Sequence, residues 1–158
     1  MFRDILRKKQ QLSREECIEI LKNELRGVLA VQGDNGYPYA FPINHYYCPE
    51  DGKLYFHGCH KGHKIDAMKA NDKVSFCVYD QGEARDEDWS LYIKSVVVFG
   101  RVKFVSEPEK IVEISRNLSH KFTSDDEYIE KEIKQFAAAT LCFELDPEYI
   151  TGKLVHEA

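Results

Sequence analysis

The segment FHGCHKGHK, at residues 56–64, concentrates the side chains of this chain that could do chemistry. Three histidines, one cysteine and two lysines fall within nine positions, with Gly58 and Gly62 between them. Two kinds of site use such residues. A metal centre is held by imidazole and thiolate ligands, and a phosphate site is built from cationic side chains and backbone N–H groups.

The metal interpretation fits the spacing poorly. A structural zinc site takes four ligands, usually as two close pairs. Cys59 with His63 could be one pair and His57 with Cys59 another, but no second cluster elsewhere in the sequence completes the set. Lys61 and Lys64 would also place ammonium groups among the ligands of a dication, which is unfavourable at short range. The sequence therefore predicts no metal site.

The phosphate interpretation uses each unusual residue of the segment. Gly58 and Gly62 allow a ligand to approach the backbone closely. Lys61 and Lys64 supply positive charge, and His63 can donate a hydrogen bond at the start of a predicted short helix, where free amides favour an anion. The pattern therefore favours binding of a phosphate monoester. A basic surface loop with a well-placed histidine remains the alternative.

The spacing of apolar residues and the turn motifs predict the elements that must position this segment. Predicted helices cover 14–26 (ended by Gly27), 63–71, a stretch from Pro108 and 126–138; predicted strands cover 28–31, 37–47, 53–57, 73–79, 92–105 (bent near Gly100) and 139–145. Hairpins join most strands, and the helices do not alternate strictly with them. The expected fold is therefore mainly β with α, a barrel of six or seven antiparallel strands with helices packed outside, in a single domain over 1–158.

The strand YPYAFPINHYY, at residues 37–47, has two faces of different character. Pro38 and Pro42 fall on one face and cannot donate ladder hydrogen bonds, which predicts an edge strand. The opposite face carries Tyr39, Phe41, Ile43, His45 and Tyr47. His45 and Tyr47 are secondary candidates for proton transfer if this face lines a cleft, although for His45 a surface or interface position is the expected one.

Composition excludes several classes of protein. The 158 residues carry a net charge of −5 and are 43% hydrophobic, which argues against a nucleic-acid binder and allows a buried core. No apolar run approaches the length of a membrane span, and the charged N-terminus MFRDILRKKQQLS has no apolar segment. We therefore expect a cytoplasmic protein with reduced thiols, and a solvated face at the acidic stretch 83–88.

The order of several segments resembles a known family. YPYAFPINHYY, LYFHG, GHKID, KVSFCV, YIKSVVVFGRV and ITGK follow one another as in the pyridoxamine 5′-phosphate oxidase-like flavoproteins, in the nitroimidazole-resistance branch. The resemblance extends from about Leu12 to Lys153. It implies an FMN-binding split β-barrel that forms a homodimer, with FMN bound at the subunit interface.

The resemblance also implies roles for individual residues. Gly62, His63 and Lys64, with Lys61 nearby, would hold the FMN phosphate. Backbone groups of Pro42, Ile43 and Asn44 would lie at the edge of the isoalloxazine ring, and Ser95 and Val96 would lie near the phosphate or the ribityl chain. His57 would face the cofactor. The segment Thr151–Lys153 would close over the cofactor or over the partner subunit.

The activity implied is that of an FMN-dependent oxidoreductase. It would pass electrons from a reduced nicotinamide to a small organic acceptor, such as a nitroaromatic compound, with His57 as the candidate catalytic residue. Two alternatives stay open: a non-enzymatic flavin-binding or flavin-storage protein, and a haem-binding relative that uses His57 or a neighbouring histidine as ligand. No arginine follows Arg116, so the resemblance does not extend to vitamin B6 oxidation.

Overall fold

A curled antiparallel sheet forms the frame of the protein. The computed structural model describes residues 1–85 and 89–157. Within them the sheet contains β1 (Arg26–Gln32), β2 (Pro38–Asn44), β3 (Tyr46–Tyr47), β4 (Leu54–Gly58), β5 (Lys73–Tyr79), β6 (Glu83–Ala84), β7 (Leu91–Val105) and β8 (Leu141–Glu157). The strand order is β2-β1-β5-β7-β8-β4-β3, and β6 pairs with β7 outside this path.

Four α-helices surround the sheet in the described part of the chain. They are α1 (Arg14–Asn23), α2 (His63–Ala70), α3 (Pro108–His120) and α4 (Asp126–Phe136). A capping box starts α1: the Glu16 amide donates to Ser13 Oγ at 3.2 Å, and the Ser13 amide donates to a Glu16 carboxylate oxygen at 2.8 Å. The expected fold class, a mainly β split barrel with helices outside, is confirmed. Six strands are longer than two residues.

The predicted edge position of the proline-bearing strand is confirmed, since β2 ends the strand order. The sequence predicts a bend near Gly100, and at this position the β7–β8 register shifts, between Phe99 and Gly100. Pro147 lies opposite Gly100 at this irregularity. That is a position where a residue without an amide hydrogen is tolerated.

Two predicted boundaries are wrong. The last strand does not end at residue 145, because β8 continues to Glu157 and pairs with β7 along its length. The first helix ends at Asn23, and Gly27 lies within β1 opposite Ile43. A Cβ on Gly27 would lie 2.5 Å from the Cys77 carbonyl oxygen and 2.6 Å from the Phe76 ring. Gly27 therefore permits close strand packing and does not terminate a helix.

Two apolar clusters fill the space enclosed by these elements. The larger lies inside the barrel, where the rings of Phe56 and Phe143 stack at 5.0 Å and Phe76 meets Phe56 edge-on at 5.1 Å. The smaller lies between α3 and the sheet and consists of Cys48, Tyr55, Val105, Ile114, Leu118 and Cys142. The second cluster fixes α3 over β4 and β8.

Two remaining expectations concern exposed parts of the chain. Of the acidic stretch 83–88, only residues 83–85 are described; they are exposed, and 86–88 lie outside the described residues. No helix in the described ranges combines the length and apolar character that crossing a membrane requires.

His45 is a buried residue that links the segment after β2 to α1 by a hydrogen bond. Its side chain is 0% exposed, and Nε2 donates to the Leu21 carbonyl at 2.7 Å. Lys121, just after α3, donates from Nζ to the carbonyls of His45 and Glu24 at 2.7 and 2.6 Å. Burial, with the positive charge of Lys121, lowers the pKa of His45 from 6.5 to about 3.

This burial predicts a specific loss of stability in acid. Because the unfolded chain binds a proton at position 45 more readily than the folded chain, stability falls as pH drops from 6.5 toward 3. Between pH 7 and pH 5 the loss should be about 2 kcal/mol. We expect His45→Gln, which keeps a donor for the Leu21 carbonyl, to flatten this dependence in urea denaturation measured at both pH values.

The exposed His60 offers a matched control. His60→Gln should keep the full wild-type dependence on pH. Equal slopes for the wild-type protein and His45→Gln would contradict the assignment of the acid sensitivity to His45.

Candidate functional site

The loop between β4 and α2 ends in a helix start that presents free amides. Gly62 has φ of +127°, a region that favours glycine, and no atom lies within 4 Å of where its Cβ would be. The amides of Ile65 and Asp66 donate to the Gly62 carbonyl at 3.0 and 3.1 Å. The amides at the first two helical positions, His63 and Lys64, precede the first intrahelical donors. They can therefore donate to an anion.

Lys64 places a cation between β2 and β4. Its half-buried side chain reaches β2 and β4: Nζ lies 5.4 Å from the centre of the Phe41 ring and 3.6 Å from the position a Cβ would take on Gly58. The positive charge is thus held beside the start of α2, and Lys61 lies exposed in the preceding loop.

The His63 imidazole is turned toward the β1–β2 turn. It stacks on Tyr39 with ring centres 4.2 Å apart, and Nε2 accepts a hydrogen bond from the Asp34 amide at 3.3 Å. Accepting this bond requires a lone pair on Nε2, so the proton of the neutral ring is on Nδ1. A hydrogen bond from His63 to a bound anion, as the sequence suggests, would have to come from Nδ1.

A cavity of about 370 Å³ adjoins this loop through β4. Its walls are formed by Arg26, Pro42, Ile43, Asn44 and His57. Because β2 is an edge strand, it also presents backbone groups that no neighbouring strand pairs. The structure therefore brings together the predicted residues of β2 and His57, and it adds Arg26, which the sequence analysis missed.

The register of the first hairpin explains the position of Arg26. Arg26 pairs with Asn44 across β1 and β2, at the end of the ladder opposite the turn. The turn at 33–36 was predictable, with Asn35 and Gly36 at positive φ. Counting residues away from this turn along β1 and β2 would have placed Arg26 beside Asn44.

His57 carries a perturbed imidazole at the wall of this cavity. Desolvation by the surrounding protein, together with the positive charge of Lys64, lowers the pKa of His57 below its ordinary value. The side chain is nevertheless exposed in the single chain, so this desolvation is partial. A neutral imidazole can both donate and accept a hydrogen bond at neutral pH.

Ser95, Val96 and Thr151–Lys153 do not line this cavity. Ser95 pairs with Tyr79 and Lys153 in the interior of the sheet, and Val96 is 0% exposed. The segment Thr151–Lys153 is a regular part of β8, where the Gly152 carbonyl accepts from the Leu12 amide at 2.9 Å. Within one chain it is a sheet element and not a closing tail.

His45 and Tyr47 are not cleft residues. They are 0% and 6% exposed, because the chain turns inward after Asn44 and places both side chains in the interior. The predictions of a cleft-facing role, and of a surface or interface position for His45, are therefore wrong. Among the residues that the structure describes, no three histidine, cysteine or acidic side chains gather as metal ligands would.

Sequence comparison gives one family match. The family model described as pyridoxamine 5′-phosphate oxidase matches residues 13–154, which is most of the chain. No curated protein matches the sequence significantly.

Solved structures of similar fold cover nearly the whole chain. A candidate 5-nitroimidazole antibiotic resistance protein from Bacteroides thetaiotaomicron has a TM-score of 0.78 at 18% identity, over 93% of this chain and 87% of that one. An FAD-binding protein from Mesorhizobium loti has a TM-score of 0.65 at 27% identity, over 92% and 97%. An FAD and haem binding protein from Mycobacterium smegmatis has a TM-score of 0.73 at 20% identity, over 92% and 73%.

Proposed function

This chain belongs to the pyridoxamine 5′-phosphate oxidase family, and we propose on that basis that it is an FMN-dependent oxidoreductase. It takes electrons from a reduced nicotinamide and passes them to a small organic acceptor, such as a nitroaromatic compound. The observation that carries the proposal is the placement of Lys64 at the start of α2, beside the cavity formed by β2 and His57.

The start of α2 fits the phosphate of FMN. The free amides of His63 and Lys64 and the Lys64 ammonium offer three hydrogen-bond donors of suitable charge. Gly62 lets the phosphate approach the backbone without meeting a side chain. Lys61 lies nearby and adds to the positive potential, while His63 is the weakest member because its Nε2 already accepts from Asp34.

The cavity fits the ring system of the cofactor. Its volume of about 370 Å³ lies in the range of ligand pockets, roughly 300–1,000 Å³. The edge strand supplies backbone groups at Pro42, Ile43 and Asn44 that can bind the polar edge of an isoalloxazine. Ser95 would reach the cofactor only from a second copy of the chain, since it does not line this cavity, and Val96, whose side chain is 0% exposed, would contribute only backbone atoms.

FMN, when bound, supplies the chemistry of electron transfer, and the chain supplies position, charge and exclusion of water. Arg26 provides a positive charge on the cavity wall, a position from which a protein can tune flavin electronics. His57 is the candidate catalytic residue: its neutral ring can accept a proton from a donor or hold a polar group of the acceptor.

The outward face of the sheet supports the proposed homodimer. One row of uncharged side chains crosses five adjacent strands in register: Pro42, Val28, Cys77, Val97 and Thr151. These residues are exposed or only half-buried, whereas their neighbours along β1, β5 and β7 form the core. A second copy of the chain would bury this row and complete the cofactor site at its border.

The first prediction concerns FMN affinity. Lys64→Ala should weaken binding by about 1–2 kcal/mol, a roughly 5- to 30-fold rise in Kd, because a charged hydrogen bond to the phosphate is lost. Titration of flavin fluorescence gives Kd. Lys69→Ala, at an exposed position in the last turn of the same helix, should leave Kd unchanged. Equal affinity of Lys64→Ala and the wild type would remove the phosphate assignment.

The second prediction separates catalysis from storage. FMN-loaded protein kept under anaerobic conditions should lose its oxidised flavin absorbance on addition of NADH or NADPH, and recover it on addition of a nitroaromatic acceptor. A flavin that neither nucleotide reduces would favour the storage alternative. A Soret band on adding haemin, lost in His57→Ala, would favour the haem alternative.

The third prediction concerns assembly. Val97→Glu should convert a dimer into a monomer in light scattering, because two copies would bury unpaired carboxylates against each other. Val112→Glu, on the half-buried part of α3, applies the same change away from the proposed interface and should remain dimeric. A wild-type protein with the mass of one chain would contradict the proposed assembly.

A further inference from the structure

A second cavity lies behind His57, between β4 and the helix pair α3–α4. It has a volume of about 140 Å³. Its polar lining consists of His57, Ser115, Ser119, Glu132 and Thr140. His57 also lines the larger cavity at β2, so this one residue contributes to the walls of both. The family resemblance gives no role to this pocket or to its helix residues.

Two of the three hydroxyl groups in this cavity, those of Ser119 and Thr140, are set up as acceptors. Ser119 Oγ donates its proton to the Ser115 carbonyl at 2.7 Å, and Thr140 Oγ1 donates to the Phe136 carbonyl at 2.9 Å. With their protons engaged, both oxygens present only lone pairs to anything inside the cavity.

Glu132 adds a carboxylate to this cavity. It lies half-buried on α4 and forms no ion pair with any residue in the ranges that the structure describes. Glu130 on the same helix differs, because it pairs with Arg116 at 2.6 Å. A half-buried carboxylate among acceptor oxygens attracts a cation that can also donate hydrogen bonds.

The remaining walls are apolar. Ile133 and Phe136 contribute side chains from α4, and Ala137 follows the helix. Phe136 is 48% exposed, so the cavity opens to solvent on this side. A volume of about 150 Å³ can hold a benzene-sized molecule, and the volume here therefore suits a single six-membered ring. The cavity therefore offers apolar surface to a ring and acceptor oxygens to a positively charged donor.

We propose that this cavity binds a small compound that combines one ring with a protonated amine. The ammonium donates to Glu132 and to the hydroxyl oxygens of Ser119 and Thr140, and the ring packs against Ile133 and Phe136. Because His57 lines this cavity as well as the FMN cleft, an amine bound here lies close enough to the flavin to perturb it through His57. The effect on the flavin rests on the proposed function, whereas the binding of an amine rests on the cavity alone.

Benzylamine, benzyl alcohol and benzoate form a matched set of probes with one ring and three different charges. Calorimetric titration of the full-length protein without FMN should show benzylamine binding roughly tenfold or more tightly than benzyl alcohol, as expected for a charged hydrogen bond, and benzoate binding more weakly than either. Glu132→Gln should remove the preference for the amine. Glu127→Gln, at an exposed position of the same helix, should retain it.

Equal affinity of the wild type for benzylamine and benzyl alcohol would overturn the proposal. So would an unchanged preference in Glu132→Gln with a native circular dichroism spectrum. If Glu132→Gln does not fold, Ser119→Ala decides the question: a several-fold rise in the Kd for benzylamine, with the Kd for benzyl alcohol less affected, supports the pocket, and no change in either contradicts it.

A repeat of the titration on FMN-loaded protein distinguishes this proposal from the proposed function. Benzylamine should perturb the absorption spectrum of bound FMN in the wild type but not in Glu132→Gln. If FMN does not bind but benzylamine does, the flavin function fails and the amine pocket stands. If FMN binds and benzylamine does not, the pocket fails alone. Binding of both without a spectral change overturns the statement that the pocket adjoins the flavin.

Discussion

The long pairing of β7 with β8, with its one register shift, is the constraint on which the rest of the structure depends. The ladder runs from Leu91 opposite Glu157 to Val105 opposite Cys142. On one side β5, β1 and β2 follow, and on the other β4 and β3. A twisted sheet of this length curls, and the curl brings β2, at one end of the strand order, close to β4, the strand next to its other end. The candidate site lies at this junction.

An incomplete closure of the barrel explains why the site is polar. β2 approaches β4 but does not pair with it, so each contributes groups that a closed barrel would engage in its ladder. Lys64 reaches into this region, over the Phe41 ring and beside Gly58. A phosphate-bearing ligand would satisfy both the free backbone groups and the cation. The gap between β2 and β4 that leaves the barrel split is therefore also the place where a phosphate-bearing ligand would bind.

The parts of the fold that local chemistry determines could be predicted from the sequence. The Ser13 capping box, the Asn35–Gly36 turn and the edge position of β2 each follow from one or two residues. The length of β8 could not, because Pro147 reads locally as a strand end and is tolerated only through the irregularity opposite Gly100. The role of Gly27 could not be predicted for a similar reason. Glycine is required there because of the Cys77 carbonyl and the Phe76 ring, which are distant from it in the sequence.

The candidate site divides in the same way. The helix start at Gly62–Lys64 is local and was predictable, whereas the second cavity depends on how α3 and α4 pack over β4, which no short motif encodes. This packing places opposite charges on the two sides of β4: Arg26 and Lys64 toward β2, and Glu132 toward the helices. Protonation of His57 between them is disfavoured by desolvation and by Lys64. The imidazole is therefore neutral, and its two ring nitrogens can donate one hydrogen bond and accept another.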